Sequence, residues 1–228
     1  MNKFRNSTKA AVIYEKGSPD VFKWEEVEVP NPRKNEVRLK NTAIGVNYID
    51  TYHRRGMPHP WPVPELPIVL GIEGVSIVEE LGPDVTEFSI GDRVAYALPP
   101  HGAYSEERVY PIDKLIKIPD FLSNQTDQDL AALMLKGLTA QFLLRRTYRV
   151  KPGDVILVHA AAGGMGLLLC QWAKYLGATV IGTVSSEEKA EQAKAAGAQH
   201  TVIHTKGDFV KTVLDVTDGK GCPVVYES

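Results

Sequence analysis

The chain has 228 residues, enough for two domains, and its 43% hydrophobic and 24% charged residues are typical of a soluble globular protein. A formal net charge of -2 gives no electrostatic basis for binding nucleic acid or a membrane surface. Two cysteines cannot form a disulfide framework, and there is neither a signal-peptide core nor an apolar run of ~18 residues, so we expect a cytoplasmic protein.

The first 125 residues predict a β-rich domain. Four segments have alternating or β-branched patterns bounded by Gly, Pro, Asn or Asp, namely 9–14, 22–29, 36–44 and 74–81. Frequent prolines disfavour long helices in this region. We therefore expect a partly closed β-barrel with long loops.

The pattern changes near residues 123–126. Between residues 127 and 148 apolar residues recur at helical spacing, and Gly137 predicts a break between two helices. We place a domain boundary here, with one domain over 1–125 and a second over 126–228.

The second domain alternates strands and helices. Strands are predicted at 154–158, 179–184, 200–204 and 223–227, and helices at 167–173, 187–196 and 208–217. Ser185 and Glu188 have capping-box spacing, and Gly197 predicts a helix end. This alternation predicts an α/β fold with a parallel, doubly wound sheet in the strand order 3-2-1-4.

Four strands are fewer than the about six of a doubly wound dinucleotide domain, so we expect its C-terminal strands to be missing. The fourth strand would then form a bare apolar edge. If the chain is complete as given, that edge predicts aggregation, pairing with another chain or strand exchange.

The loop between the first of these strands and its helix has the spacing small-x-x-Gly-x-x-Gly, with Ala160 where a dinucleotide fingerprint usually begins with glycine. Glycine allows a sharp turn, and a helix N-terminus offers unpaired N–H groups to a pyrophosphate. The alternative is an ordinary glycine turn. We predict a cofactor-binding loop formed by Ala160, Ala162, Gly163, Gly164, Met165 and Gly166.

Several motifs together carry a family resemblance. They are GVNYIDTY at 45–52, GIEG at 71–74, GDRV at 91–94, GAYSE at 102–106, KGLT at 136–139 and HAAAGGMG at 159–166. On these motifs the chain resembles the zeta-crystallin-like quinone oxidoreductases of the medium-chain dehydrogenase/reductase superfamily, over about two-thirds of the family's usual length. The resemblance implies a GroES-like β-barrel domain followed by a Rossmann domain, with NADPH between them.

The same superfamily contains zinc alcohol dehydrogenases, whose ligand positions can be compared. Those enzymes have a cysteine where this chain has Asn47 and a histidine where it has Ile72. Their structural zinc needs four cysteines. We therefore expect no metal, and we interpret His53, His59 and His101 as loop residues.

The second strand of the α/β domain bears on cofactor choice. NAD-specific relatives have an acidic residue at its end, whereas this chain has Val184 followed by Ser185 and Ser186. Lys189, one turn into the next helix, can supply a counter-charge to a 2′-phosphate, as its family equivalent does. The alternative is that Lys189 is an ordinary solvated side chain.

Nearby positions qualify this preference for NADPH. Glu187 and Glu188 place negative charge near the proposed phosphate. Where the family often has a tyrosine after the third strand, this chain has Thr205, and Lys206 is a candidate to replace its contribution.

The resemblance also implies the groups that surround the reaction. Asn47 and Tyr52 should lie beside the nicotinamide and the quinone, and Thr139 should contact the nicotinamide carboxamide. Arg54 or Arg55 either holds the acceptor or is a surface arginine. Trp61 either lines the acceptor pocket or packs within its loop.

Two classes of function follow. The first is a zinc-independent NADPH:quinone reductase, or a related enone or enoyl reductase, acting on a quinone or another small electrophilic acceptor. The second is a truncated, non-catalytic relative that binds NADPH or has a structural or nucleic-acid-associated role. Full-length members of the family often form homodimers.

Overall fold

The computed structural model describes residues 7–57 and 65–227, and it divides the chain into two compact units, Met1–Leu135 and Lys136–Ser228. The predicted positions His59 and Trp61 lie outside the described residues. No helix in the described part of the chain has the length and apolarity required to cross a membrane.

The first unit is built from short antiparallel strands and one helix. Its elements are β1 (Ser7–Ile13), β2 (Phe22–Glu28), β3 (Glu36–Gly45), α1 (Tyr48–Arg55), β4 (Ile68–Val69), β5 (Glu73–Leu81), β6 (Arg93–Tyr96), β7 (Glu107–Pro111) and β8 (Ile116–Lys117). They form one sheet in the order β2-β1-β4 and another in the order β7-β3-β5-β6-β8. The four predicted strands are confirmed, whereas the shorter strands gave too little pattern to predict.

The core of this unit surrounds a buried cation. Arg108 on β7 is 6% exposed, and its guanidinium carbon lies 4.9 Å from the centre of the Tyr96 ring and 4.6 Å from that of Tyr110. Its Nη2 donates to the carbonyl oxygens of Pro100 and His101. Two aromatic faces and two carbonyls thus replace part of the hydration that the charge loses on burial, whereas Nε and Nη1 are buried without a hydrogen-bond partner among the described residues.

Helix α1 follows directly on β3, and sequence reasoning missed it. The Asn47 backbone N–H donates to Asp50 Oδ2 at 3.0 Å, and Gly56 ends the helix with φ of +65°. An Asn at the helix start with Asp three residues later and Gly at the end is a sequence signal for such a helix.

Helix α2 (Asp127–Phe142) runs without interruption through Gly137, so the predicted break there is wrong. The helix ends in a π-helical turn over Leu143–Thr147 instead. A single glycine costs only about 1 kcal/mol in a helix, which the surrounding turns outweigh. The division between the two compact units falls within α2.

The second unit alternates strand and helix as predicted. Its elements after α2 are β9 (Val155–Val158), α3 (Gly164–Tyr175), β10 (Thr179–Val184), α4 (Glu187–Ala196), β11 (His200–Ile203), α5 (Phe209–Val216) and β12 (Val225–Tyr226). All strands pair in parallel, in the order β11-β10-β9-β12. This confirms the predicted doubly wound sheet and its order. The fold is therefore a unit of two antiparallel sheets followed by a Rossmann-type parallel sheet.

One predicted cap is wrong. Ser186, and not Ser185, precedes α4, and its hydroxyl accepts from the Lys189 backbone N–H at 3.3 Å. Ser185 consequently lies one residue before the cap, at the end of β10, where its side chain is available for another role.

Candidate functional site

The turn from β9 to α3 has the backbone geometry of a dinucleotide loop. Ala160 has φ of +48°, in the left-handed region that normally favours glycine. The Gly163 N–H donates to the Ala160 carbonyl at 2.7 Å, and the Ala161 N–H donates to Thr183 O at 3.0 Å. The loop is thus held both by its own turn and by the neighbouring strand β10.

Gly166 is required for close packing of this turn against the helix. A Cβ there would lie 2.3 Å from the Ala160 oxygen and 2.6 Å from Ala161 Cα, closer than real contacts allow. Gly163 caps α3, and Gly164, Met165 and Gly166 form its first turn. The N-terminal N–H groups of α3 therefore meet the loop where the fingerprint predicts a pyrophosphate.

A cavity of about 360 Å³ lies at the carboxyl ends of the parallel strands, beside this loop. Five predicted cofactor residues line it, namely Ala160, Ala162, Gly163, Ser185 and Lys189. Gly164, Met165, Gly166 and Ser186 do not line it. The same cavity is also lined by His159, Thr183, Val184, His204 and Phe209, of which sequence reasoning identified only Val184, as the position that lacks a carboxylate.

One end of the cavity carries hydroxyl and basic groups. Ser185 follows β10, Lys189 lies in the first turn of α4, and His204 follows β11. The His204 N–H donates to Val184 O at 3.0 Å, which places His204 next to the end of β10. Strand order could have identified it, because residues that follow neighbouring parallel strands share one edge of the sheet.

Another part of the cavity lining is an oriented imidazole, that of His159. Nδ1 of His159 is 2.8 Å from Thr183 Oγ1, and its ring meets the Phe209 ring edge-on at 5.2 Å. Its Nε2 lies 3.6 Å from a carboxylate oxygen of Glu227. The arrangement gives the cavity an aromatic wall suited to a flat ring.

Lys206, the candidate to replace the contribution of the family's tyrosine, forms an exposed ion pair. Its Nζ lies 3.2 Å from Glu187 Oε1, and neither residue lines the cavity. This exposed ion pair is weak. It nevertheless places a positive charge beside Glu187, one of the two carboxylates whose negative charge disfavours a phosphate nearby.

In the first unit, Asn47 is held by a fully buried carboxylate. Asn47 Nδ2 donates to Glu73 Oε2 at 2.6 Å, and the other oxygen, Oε1, accepts from the Leu135 backbone N–H at 2.6 Å. Asn47 is 7% exposed and Glu73 0%. The carboxylate fixes the orientation of the amide, because it can only accept hydrogen bonds.

A second buried carboxylate holds the start of α1. Asp50 Oδ2, which accepts from the Asn47 N–H, also accepts from the Tyr104 hydroxyl at 2.7 Å. Burial and the adjacent Asp50 carboxylate raise the pKa of Tyr104 above its usual range, so its hydroxyl remains a donor.

The other predicted groups lie on α1 and α2. Tyr52 is partly buried and meets Tyr48, four residues earlier, edge-on at 5.3 Å. Thr139 lies in the part of α2 that belongs to the second unit. Arg54 Nε donates to Gly17 O at 3.1 Å, which gives this arginine a structural role, whereas Arg55 is exposed.

The interpretation of His53 as a loop residue is wrong. It lies in α1, is 2% exposed, and its ring meets that of His101 edge-on at 4.6 Å. The burial of His101, followed by the nearby His53 and Arg108, lowers its pKa to about 4.

The positions that match zinc ligands do not fit a metal. Ile72 is fully buried and has no donor atom, and the Asn47 amide nitrogen faces Glu73. Within residues 7–57 and 65–227, no three His, Cys, Asp or Glu side chains form a group that could hold an ion.

A parallel sheet with a left-handed turn into a helix, and a cavity at its carboxyl edge, defines the class of dinucleotide-binding folds. Two family models match the chain: the alcohol dehydrogenase GroES-like domain over residues 33–120 and the zinc-binding dehydrogenase model over residues 164–228. Their order agrees with the barrel unit followed by the Rossmann-type unit.

Similarity to individual proteins indicates which family of dehydrogenases and reductases the chain resembles most. The chain is 59% identical over 219 residues to a 2-haloacrylate reductase from Burkholderia sp., covering 96% of this chain and 66% of the relative. It is 50% identical over 212 residues to a quinone oxidoreductase from Pseudomonas aeruginosa, covering 93% and 63%. A crystal structure of Escherichia coli quinone oxidoreductase complexed with NADPH matches with a TM-score of 0.90 at 42% identity, covering 96% and 66%.

The chain belongs to the quinone oxidoreductase family of the medium-chain dehydrogenase/reductase superfamily. It spans just under two thirds of the length of these relatives.

Proposed function

We propose that the protein is a zinc-independent oxidoreductase that transfers reducing equivalents from NADPH to a quinone. The observation that carries the proposal is the cavity at the carboxyl edge of the parallel sheet. Ser185 and Lys189 line it, and the residue at the end of β10 is the apolar Val184 where a carboxylate would select NADH. The solved relative with bound NADPH supports the same choice of cofactor.

The proposed roles follow the predicted sites. The turn residues Ala160, Ala162, Gly163, Gly164, Met165 and Gly166 would hold the pyrophosphate, and Ser185, Ser186 and Lys189 the 2′-phosphate. Ser186 would do so with its hydroxyl proton, because that hydroxyl acts only as an acceptor in capping α4. The proposed functional division is 1–125 for acceptor and catalysis and 126–228 for NADPH.

NADPH supplies a hydride when bound. The chain's own groups therefore have to position the two reactants and stabilise the negative charge that the acceptor gains. We assign Thr139 to the nicotinamide carboxamide, and Tyr52 and Asn47 to the acceptor oxygen that gains negative charge. One Asn47 N–H donates to Glu73, which fixes the orientation in which the amide would meet the acceptor. The Tyr104–Asp50 pair fixes the backbone from which Asn47 projects.

A related acceptor class has specific support. The relative that is 59% identical reduces 2-haloacrylate according to its name, and an activated alkene accepts a hydride as a quinone does. We therefore include small electron-poor alkenes as a second candidate. The non-catalytic alternative is not favoured by these relatives.

The cofactor assignment can be tested by fluorescence titration with NADPH and NADH. Lys189→Gln is expected to weaken NADPH binding about fivefold, the effect of losing one partly solvated ion pair, and to leave NADH binding unchanged. Lys194→Gln is the matched control, because Lys194 lies on the same helix, pairs with Glu191 and is outside the cavity. Absence of saturable NADPH binding would contradict the proposal.

The acceptor assignment is tested by NADPH oxidation with 1,4-benzoquinone and with 2-chloroacrylate, before and after treatment with a zinc chelator. We expect turnover of at least one acceptor and no loss on chelation. NADPH binding without turnover of either compound would favour the non-catalytic alternative. We also propose a cytoplasmic location and a homodimer, the latter testable by light scattering.

A further inference from the structure

We propose that Arg55 holds the carboxylate of an anionic, electron-poor alkene, so that the protein prefers this class of acceptor over neutral analogues. The inference rests on the proposed function and deepens it, because it gives the charge of the acceptor and the residue that recognises that charge. The sequence left Arg54 and Arg55 as equal candidates for holding an acceptor, and the structure separates them.

The two arginines differ in what their side chains contact. Arg54 Nε donates to Gly17 O at 3.1 Å, which ties this side chain to the loop after β1. Arg55 is the last residue of α1 and is exposed. No hydrogen bond or ion pair joins its guanidinium to another residue within 7–57 and 65–227. Of the two, Arg55 is therefore the arginine that a ligand can reach.

One side of α1 brings Arg55 into line with two tyrosines. Positions 48, 52 and 55 have the spacing i, i+4 and i+7, which places them on the same face of a helix. The rings of Tyr48 and Tyr52 meet edge-on at 5.3 Å, and Tyr48 is 73% exposed. Asp50 and His53 lie on the other side and are buried. The Tyr48, Tyr52 and Arg55 face is thus the outer face of α1.

The charge on this outer face is positive. Helical side chains lean toward the N-terminus of their helix, so Arg55 leans toward the turn of Tyr52, which we assign to the acceptor oxygen. Asp50 is the carboxylate of α1, and its Oδ2 is held inward by the Asn47 N–H and the Tyr104 hydroxyl. A cation, a phenol and an aromatic ring therefore lie along one face.

These groups match a conjugated carboxylate such as 2-chloroacrylate. Its reduction places a hydride, supplied by NADPH, on the CH2 carbon, and the electron pair of the double bond moves to the carbon that bears the chlorine and the carboxylate. That carbon takes a proton from water, which gives 2-chloropropanoate and NADP+. Negative charge spreads onto the carboxylate during the step, so a guanidinium beside it stabilises the transition state more than the ground state.

The experiment compares kcat/KM for 2-chloroacrylate with kcat/KM for its methyl ester, which has the same alkene without the charge. 1,4-Benzoquinone serves as a second neutral acceptor. We expect Arg55→Gln to lower the carboxylate-to-ester ratio about fivefold, because only the carboxylate loses a partly solvated ion pair. Arg55→Lys keeps the positive charge and should retain part of the ratio.

Arg54→Gln is the matched control. It removes the neighbouring arginine, whose Nε is engaged by Gly17, and it should keep the carboxylate-to-ester ratio of the unaltered protein. Added salt should lower the ratio of the unaltered protein more than that of Arg55→Gln, since salt screens an exposed ion pair. A calorimetric titration with 2-chloropropanoate in the presence of NADP+ gives a measurement independent of turnover, and Arg55→Gln should bind this anion about fivefold more weakly.

Equal ratios and equal 2-chloropropanoate affinities in the unaltered protein and Arg55→Gln would overturn the inference. Turnover of the ester and benzoquinone without turnover of 2-chloroacrylate would also overturn it, while leaving the proposed function intact. A ratio that falls in Lys16→Gln but not in Arg55→Gln would transfer the role to Lys16, whose Cδ lies 2.2 Å from the point that a Cβ of Gly56 would occupy.

Failure of the proposed function would appear differently, as absence of NADPH oxidation with all three acceptors. The titration with 2-chloropropanoate would still decide whether Arg55 holds a carboxylate.

Discussion

Glu73 shows how one buried carboxylate can organise a reactive side chain. Its two oxygens accept from Asn47 Nδ2 and the Leu135 N–H, each at 2.6 Å. An ionised carboxylate is suited to two donors, whereas an amide has a donor at one of its ends. The residue is therefore a positioning group for Asn47, and it also fixes a turn of α2.

We expect Glu73→Gln to lower the free energy of unfolding by about 1–3 kcal/mol, because the new NH2 group must face a donor in a fully buried site. Urea denaturation measures the loss. Glu79→Gln is the control on the same strand, since Glu79 is exposed and its ion pair with Lys40 is long at 3.9 Å. Equal stability of the two variants would show that the Glu73 carboxylate is not needed as the hydrogen-bond acceptor for Asn47.

Two helical glycines have opposite roles. A Cβ at Gly166 on α3 would collide with the Ala160 and Ala161 backbone, whereas a Cβ at Gly137 on α2 would meet no atom within 4 Å. Glycine is therefore required for a close backbone approach in α3, whereas the glycine in α2 is replaceable.

We expect Gly166→Ala to destabilise the protein by about 1–3 kcal/mol and to weaken NADPH binding, because the turn must shift. Gly137→Ala should instead raise the free energy of unfolding by about 0.5–1 kcal/mol, since alanine is the better helix former. Thermal unfolding and NADPH titration of both variants check this pair. A destabilising Gly137→Ala would mean that the glycine has a packing role.

The elements also show where sequence reasoning succeeds. Alternating β-branched runs and helical patterns were enough for the order β11-β10-β9-β12, because parallel crossovers allow few topologies. The Gly137 break was wrong because neighbouring turns outweigh one residue's propensity. His204 and Phe209 were missed because the cavity collects them from separate strand and helix ends, a tertiary relation that linear spacing does not show.

For the whole molecule, the buried histidine and arginine of the barrel predict sensitivity to acid. The unfolded chain protonates His101 near its usual pKa of 6.5, whereas burial, His53 and Arg108 lower the folded value to about 4. Between these values the unfolded state binds more protons. The free energy of unfolding must therefore fall as the pH drops from about 6.5 to about 4.

We expect His101→Gln to make this decline shallower, because glutamine does not titrate. Urea denaturation at half-unit steps of pH measures it. His101→Asn, which also removes the imidazole, should make the decline shallower to the same degree. If His101→Gln gave the same slope as the unaltered protein, other groups would have to account for the acid sensitivity.

The backbone at Ala160 has a consequence for finding such proteins among uncharacterised genes. The loop adopts a left-handed dihedral angle with an alanine, at a conformational cost of about 1–2 kcal/mol that glycine would avoid. A sequence-motif search that requires glycine at this position would not find this protein. A catalogue indexed by backbone angles would retain it.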